Sequence, residues 1–405
     1  MSCFMRAFIV VGIVGCGARS ELYVAGHLDA ATTDVVDAPI DAANFPPLLA
    51  TDGRHACYRQ RSGTLLCWGA SPNGLYASDG GFLTMSTPQP VMTNGVPSVV
   101  SAHLIGQCIL LDDGTVDCWG YDDEFQRLGD GTGVSQPPPG VPVFNGATDL
   151  IGSPHGDFEC AHRADNSLYC WGYPPDCDIT YPDGGYPITP VARPDLASLS
   201  GLALGQQFLC GIQNSSVYCC GWQNSGDLGN GVDSVAYHDS LGVVALPSKA
   251  TQVVVGGSYA CAILDDMTAW CWGWNSEGQV GDGTMGVDRA TPVQVVGLVN
   301  AVQLDLGIYH SCARLADGTA RCWGNNDHGQ IGDATTTQRL TPTPVVAPSG
   351  TGTLSDIVDL HTGYDFSCAL IASGDVYCWG WNNNGQVGDG TMTDRSIPTK
   401  VIGLQ

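Results

Sequence analysis

Seven pairs of cysteines at a nearly constant interval constrain this chain more than any other feature. They are Cys57 with Cys67, Cys108 with Cys118, Cys160 with Cys170, Cys210 with Cys219, Cys261 with Cys271, Cys312 with Cys322, and Cys368 with Cys378. Their first members stand 51, 52, 50, 51, 51 and 56 residues apart. A fixed period of this length marks a solenoid, a propeller or an array of one supersecondary unit. Seven such units fill the 405-residue chain from about residue 51 to its last residue. Glycine (54) and proline (24) together approach a fifth of the residues, which favours turns and short strands over long helices.

Each unit reads as β-structure. "AVQLDLG" and "QVVVGG" alternate or run apolar, and "SCARL" and "TARCWG" flank Asp317-Gly318, a hairpin signal. A three-residue loop, Ala316 to Gly318, with the glycine in the left-handed region lets Leu315 and Thr319 close the turn. Cys312 then faces Cys322 on a non-hydrogen-bonded pair, where Cα atoms approach closely enough for a disulfide. The fourth unit, "CGIQNSSVYCCGW", is one residue shorter. A two-residue turn at Asn214-Ser215 pairs Cys210 with Cys219. Cys220 is then left in the slot that Trp68, Trp119, Trp171, Trp272, Trp323 and Trp379 fill elsewhere. Six tryptophans at one repeat position read as packing between units. Cys177 and Cys220, unpaired in adjacent units, are predicted to join each other.

The stretch "YHSCARLADGTARCWGNNDHGQIGD" resembles the regulator of chromosome condensation repeat in its secreted bacterial form. The family pattern, a W-G pair followed by N-x-x-G-Q-[LIV]-G, is met at Trp272 to Gly281, Trp323 to Gly332 and Trp379 to Gly388. It is partly kept in the second unit (Gln126, Leu128, Gly129) and the fourth (Gly226, Leu228, Gly229), and loosely in the first (Asn73, Gly74). The third, "CWGYPPDCDITYPDGGYP", lacks it. The resemblance covers residues 51–405 and implies an all-β fold, a seven-bladed β-propeller of four-stranded blades with disulfide-clipped hairpins. A proline-led apolar strand such as "TPVQVVGL" (291–298) introduces most units, but the first lacks one. This predicts that "IPTKVIGL" (397–404) supplies the missing strand and closes the first blade.

The N-terminus reads as an export signal. It has one early cation, Arg6, a short apolar run from Ala7 to Val14, and Ile13-Val14-Gly15-Cys16, similar to a bacterial lipobox. Residues 1–15 are therefore expected to be a lipoprotein-type signal peptide, Cys16 the lipidated residue, and residues 16–50 a flexible Ala/Asp-rich tether. Gly17 carries no retention aspartate, so an outer-membrane or cell-surface lipoprotein is expected, otherwise a periplasmic or secreted protein. Eighteen cysteines fit an oxidising compartment.

Lys+Arg number 15 against 40 acidic residues, a formal charge of −25. No broad basic face can be built, so nucleic acid is excluded as a partner and docking on an anionic membrane surface is disfavoured. The membrane contact expected is the lipid anchor alone. The histidines share no catalytic spacing; His55 and His310, at matching positions before a hairpin, are expected to hydrogen-bond within their blades. The D-G-T turns at Asp130, Asp282 and Asp389 read as turn residues, and no cofactor or metal is implied.

The contact candidates are the aromatics that follow the W-G or C-G pair: Tyr121, Tyr173, Trp222, Trp274 and Trp381. Repetition predicts a ring of them near one face, packed on the following G-Q-x-G loop or free to anchor a partner. Tyr181 and Tyr186, in the irregular third-unit loop from Pro174 to Pro187, are a second candidate. Together these imply a monomeric, non-enzymatic scaffold that binds a protein or cell-envelope polymer. The resemblance also implies two alternatives. One is guanine-nucleotide exchange, as in the eukaryotic namesake, although disulfide-clipped hairpins and a cytosolic GTPase do not share a compartment. The other is a secreted propeller that inhibits an enzyme by covering it with one loop face.

Overall fold

The computed structural model describes residues 47–404, apart from 71–82, 104–105, 123–126, 157, 174–176, 178–186 and 234. Residues 1–15, Cys16, nearly all of the tether, Tyr181 and Tyr186 lie outside the described residues.

Seven four-stranded antiparallel sheets form the blades of a β-propeller, each a simple meander. The sixth blade shows the local logic. Its inner strand, Ala301–Leu306, mixes buried and half-buried residues, while the next strand, His310–Leu315, is nearly all buried. The third, Ala320–Gly324, carries Trp323, and the outer strand, Arg339–Pro344, holds the prolines. Proline is tolerated there because an outer edge needs no donor on its free side.

The hairpin register places Cys312 across from Cys322, with a Cα–Cα distance of 4.1 Å. The other repeated pairs face each other in the same way, and each is disulfide-bonded. In the first three blades Cys57 is joined to Cys67, Cys108 to Cys118, and Cys160 to Cys170. In the fifth and seventh, Cys261 is joined to Cys271 and Cys368 to Cys378. In the fourth blade Asn214 (φ 51°) and Ser215 (φ 64°) form the two-residue turn, and Cys210 is joined to Cys219. Two successive left-handed residues match the hairpin twist.

Two expectations about the chain ends are corrected. The closing strand, Arg395–Lys400, pairs with Val376–Gly380 of the seventh blade, not with the first. The first blade already holds four strands, Leu48–Thr51, His55–Arg59, Leu65–Ala70 and Thr84–Val91. Each proline-led strand is the outer strand of the hairpin before it, so every sheet is contiguous in sequence. The first strand also begins at Leu48, within the stretch read as tether, because Leu48, Leu49 and Ala50 are buried against the core.

The ring is closed by side chains. Trp68, Trp119, Trp171, Trp272, Trp323 and Trp379 are all fully buried. Trp323 donates its indole N–H to the Gln279 carbonyl, 2.8 Å away in the loop of the preceding blade. Trp272 does the same to Asp227 (3.0 Å), Trp379 to Gln330 (2.9 Å), and Trp68 to Gln386 (2.8 Å). The last bond joins the seventh blade to the first, where Thr51 Oγ1 also donates to the Thr362 carbonyl. The final glycine of the G-Q-x-G stretch is explained by the same contact. A Cβ on Gly281 would stand 2.6 Å from Trp323 Nε1, at a φ of +77° that already disfavours side chains.

The third-to-fourth junction departs from this pattern on both sides. The third blade lacks the loop motif and the fourth lacks the tryptophan. Cys177, from that loop, is instead bonded to Cys220 in the tryptophan slot. Peptide mapping without reductant is expected to recover Cys177 linked to Cys220 and Cys210 linked to Cys219. A Cys210–Cys220 link would overturn the register of that hairpin. Trp323→Phe is expected to destabilise the fold by about 2–4 kcal/mol, from the lost bond and the space left by the smaller ring. Gly281→Ala should be similarly harmful by the opposite route, overfilling. Denaturation midpoints of the oxidised proteins check both, and a neutral Gly281→Ala would refute the steric account.

Candidate functional site

Because every blade is a meander, its first-to-second turn and third-to-fourth loop emerge on one face of the disc. The residue after the W-G pair lies on that face and is fixed there by its own backbone. Trp274 N–H donates to the Ser258 carbonyl (2.9 Å), Trp381 to Asp365 (2.8 Å), Trp222 to Gln207 (2.8 Å), and Asn325, in the same slot of the sixth blade, to Tyr309 (2.9 Å). Tyr121 is 41% exposed, while Tyr173, Trp222, Trp274 and Trp381 are half-buried. These candidates occupy five separate blades. Trp274 and Trp381 converge on one place, the two sides of the sixth blade.

Trp274 packs edge-on to Tyr309 with ring centroids 5.6 Å apart, and Trp381 lies 5.8 Å from His328. Between these pairs is a cleft of about 250 Å³ lined by Glu277, Tyr309, Asn325, Asp327, His328 and Asp365. Three consecutive blades contribute to it. Glu277 Oε2 accepts from Gln338 Nε2 (2.9 Å) and Asn325 Nδ2 (3.4 Å), and Asp327 Oδ2 accepts from Asn325 Nδ2 (3.3 Å). Asp365 Oδ1 accepts from Gln330 Nε2 (3.0 Å), and His328 Nδ1 meets Asp394 Oδ2 at 2.7 Å. Burial raises the Asp365 carboxyl above its usual value. His328 and the Gln330 amide oppose that shift, and the charges of Asp327 and Asp394 add to it.

Sequence reasoning found the tryptophans and missed Tyr309, Asp365, Glu277 and His328. The acidic groups are about 40–50 residues apart and share no slot, so no local motif marks them. A signal did exist for Tyr309 and Asp365, which both lie in the short turn before a hairpin, at "IYH" and "YDF".

The D-G-T aspartates, and Asp333 in the matching D-A-T turn, are structural clips. Asp282 accepts from Arg289, Asp333 from Arg339 and Asp389 from Arg395, each at 2.6–2.7 Å. Asp130 takes Gln136 Nε2 instead, at 3.2 Å. The arginine that opens "RATP", "RLTP" and "RSIP" was the readable sign of this pairing.

Near the centre of the disc, His55 pairs with Asp52 of its own blade (2.9 Å), as expected. His310 differs: its Nε2 reaches Ser367 Oγ of the next blade at 2.9 Å. Burial pushes His310 down to about 3, so it is neutral. His155 crosses the axis from the third blade to the Leu306 carbonyl of the sixth (2.7 Å). His361 lies between Asp305 (3.3 Å) and Asp359 (3.0 Å). Burial works against its charge, yet Asp359 and Asp305 hold it up at about 10. Among the described residues, no set of three His, Cys, Asp or Glu side chains is arranged to hold a metal.

His361 is protonated more readily folded than unfolded, so its contribution is complete below about pH 6.5 and fades as pH rises toward about 10. His361→Gln should therefore destabilise the protein more at about pH 6 than at about pH 10. Denaturant midpoints of both proteins check this; a pH-independent gap refutes the charged triad.

Comparison with known proteins follows the same repeat. Two patterns of the Regulator of chromosome condensation (RCC1) repeat match, one at 250–279, 301–330 and 357–386, the other at 268–314, 317–370 and 373–405. Among curated proteins, the chain is similar to the ultraviolet-B receptor UVR8 of Arabidopsis thaliana, 27% identical over 67% of this chain and 60% of that protein. It is also similar to the E3 ubiquitin-protein ligase HERC2 of Homo sapiens, 27% identical over 53% of this chain and 4% of that protein. The chain thus spans 60% or less of the length of these relatives. Among solved structures, yeast RCC1 (Prp20) bound to Kap60 superposes with a TM-score of 0.66 at 18% identity, covering 95% of this chain and 91% of that one. Human WBSCR16 gives 0.68 at 17% identity, over 84% and 93%. At these identities the superpositions establish the fold alone.

Proposed function

The chain belongs to the Regulator of chromosome condensation (RCC1) repeat family, and we propose that it acts as a non-enzymatic scaffold, binding a protein or cell-envelope partner through one loop face. The observation that carries this reading is the pairing of Trp274 with Tyr309 and of Trp381 with His328 around a single cleft. These rings are partly open to solvent, and Trp274 and Trp381 are each fixed by a backbone hydrogen bond. Aromatics held in place lose little freedom on binding, which is why they dominate contact energies at interfaces. His55, His155, His310 and His361 are engaged with Asp52, the Leu306 carbonyl, Ser367 and the Asp305/Asp359 pair, and none of the four lines the cleft.

The same proposal puts the scaffold outside the cytoplasm. Eight disulfides among the described residues support an oxidising compartment, and no helix among them is long and apolar enough to cross a membrane. Anchoring through Cys16 belongs to the same proposal and rests on the N-terminal sequence. It would hold the disc at a cell surface or outer membrane.

Replacing Trp274 and Trp381 together by alanine is expected to leave a folded, fully oxidised propeller. Partner binding should weaken by about 30-fold, typical of losing an interface anchor. Crosslinking on intact cells, read by mass spectrometry, gives the partner. Circular dichroism and an unreduced gel confirm folding. Unchanged capture by the folded double variant would exclude this face.

A further inference from the structure

We propose that the cleft over the sixth blade receives a cationic side chain, an arginine or lysine, presented by a protein partner. This rests on the loop-face reading above and specifies its chemistry. Glu277, Asp327 and Asp365 come from three successive blades and meet in one cleft. The side-chain donors to their oxygens are neutral, the Gln338, Asn325 and Gln330 amides and the Ser276 hydroxyl, and leave the negative charge in place. The arginines that open the outer strands of these three blades, Arg289, Arg339 and Arg395, are held by Asp282, Asp333 and Asp389. His328 is engaged with Asp394. Burial is the main cause of the upward shift of Asp365, His328 and Gln330 oppose it, and the charges of Asp327 and Asp394 add a smaller part that an incoming cation would offset.

Acidity alone would not identify a ligand; the aromatic wall does. Tyr309 lines the cleft and is backed by Trp274, while Trp381 stands against His328 on the other side. Carboxylates beside aromatic rings suit a guanidinium or ammonium group, which gains from both charge and ring quadrupole. A volume of about 250 Å³ suits one long side chain and not a folded segment. The surroundings favour a protein-borne cation over a free ion. Met285 (53% exposed), Val287 (53%) and Met392 (43%) stand on the same loops that carry the flanking residues, and they offer apolar surface for the rest of a partner. The chain's −25 charge would also steer a basic partner toward it.

The test uses the oxidised full-length protein at about 150 mM salt, where weak surface charge effects are screened. The probes are the peptide acetyl-Gly-Arg-Gly-Arg-Gly-amide and its analogue with citrulline in place of arginine, which keeps the shape and removes the charge. Saturable binding of the arginine peptide is expected by calorimetry and tryptophan fluorescence, with at least about 10-fold weaker binding of the citrulline peptide. Glu277→Gln/Asp327→Asn should weaken the arginine peptide by about 10-fold. The charge-matched control Asp112→Asn/Asp113→Asn, at an exposed hairpin turn of the second blade, should change it by less than about 2-fold. Equal losses in the two double variants, equal binding of both peptides, or no saturable binding would overturn the proposal. The crosslinked partner separates the two claims. If capture survives the cleft variant but is lost with Trp274→Ala/Trp381→Ala, the cation site fails and the loop-face reading stands. If capture survives both, the loop-face reading itself fails.

Discussion

The seating of a buried tryptophan against the loop of the blade before it, fixed by an indole hydrogen bond at Trp68, Trp272, Trp323 and Trp379, is the interaction on which the rest of this structure depends. A four-stranded sheet has two faces, and the disc exists only if each is covered by a neighbour. The tryptophan does this covering. Burying one such ring contributes about 5 kcal/mol relative to exposure, before the entropy of ordering is subtracted. The N–H then fixes where the neighbour must sit. At two junctions the same carbonyl is bonded twice, since Ser311 Oγ and Ser367 Oγ also donate to Gln279 and Gln330. The loops that present Trp274, Trp381, Glu277 and Asp327 are therefore loops that hold the ring together, while Asp365 comes from the short turn of the seventh blade.

The third-to-fourth junction shows that the constraint is geometric rather than chemical. Where tryptophan and G-Q-x-G loop are both missing, a cross-blade disulfide occupies the same slot. The other seven disulfides, Cys57 with Cys67 through Cys368 with Cys378, stay inside a single hairpin and clip strands that the turn already aligns. Cys177–Cys220 differs from these in kind: it ties two blades and stands where an indole would otherwise bond.

Much of the fold was legible in the sequence, for identifiable reasons. The hairpin register followed from turn length alone, and the one-residue deletion in the fourth unit confirmed it through Asn214 and Ser215. Repetition made the tryptophans and the ring visible. The closing strand was misassigned because a proline-led strand between two hairpins can belong to either sheet, and sequence order does not say which. The site was only half legible. Repetition exposes residues that recur, such as Trp274 and Trp381, and hides those that differ between blades. Glu277, Asp327 and Asp365 fall in the second class, and only the curvature of the ring brings them together. His310 was assigned to its own blade for a related reason, since nothing local announces a partner 57 residues away.

The closing contact has a kinetic implication. Every sheet is assembled from neighbouring stretches of chain, so six of the seven interfaces can form as synthesis proceeds, with short loops to close. Trp68 is different, because its acceptor, Gln386, lies 318 residues downstream. Until that loop emerges from the ribosome, the first blade presents an uncovered apolar flank, and the nascent arc has an adhesive end. Whatever shields Trp68 until Gln386 arrives, whether a chaperone or a still-unfolded chain, does so for nearly the whole period of synthesis.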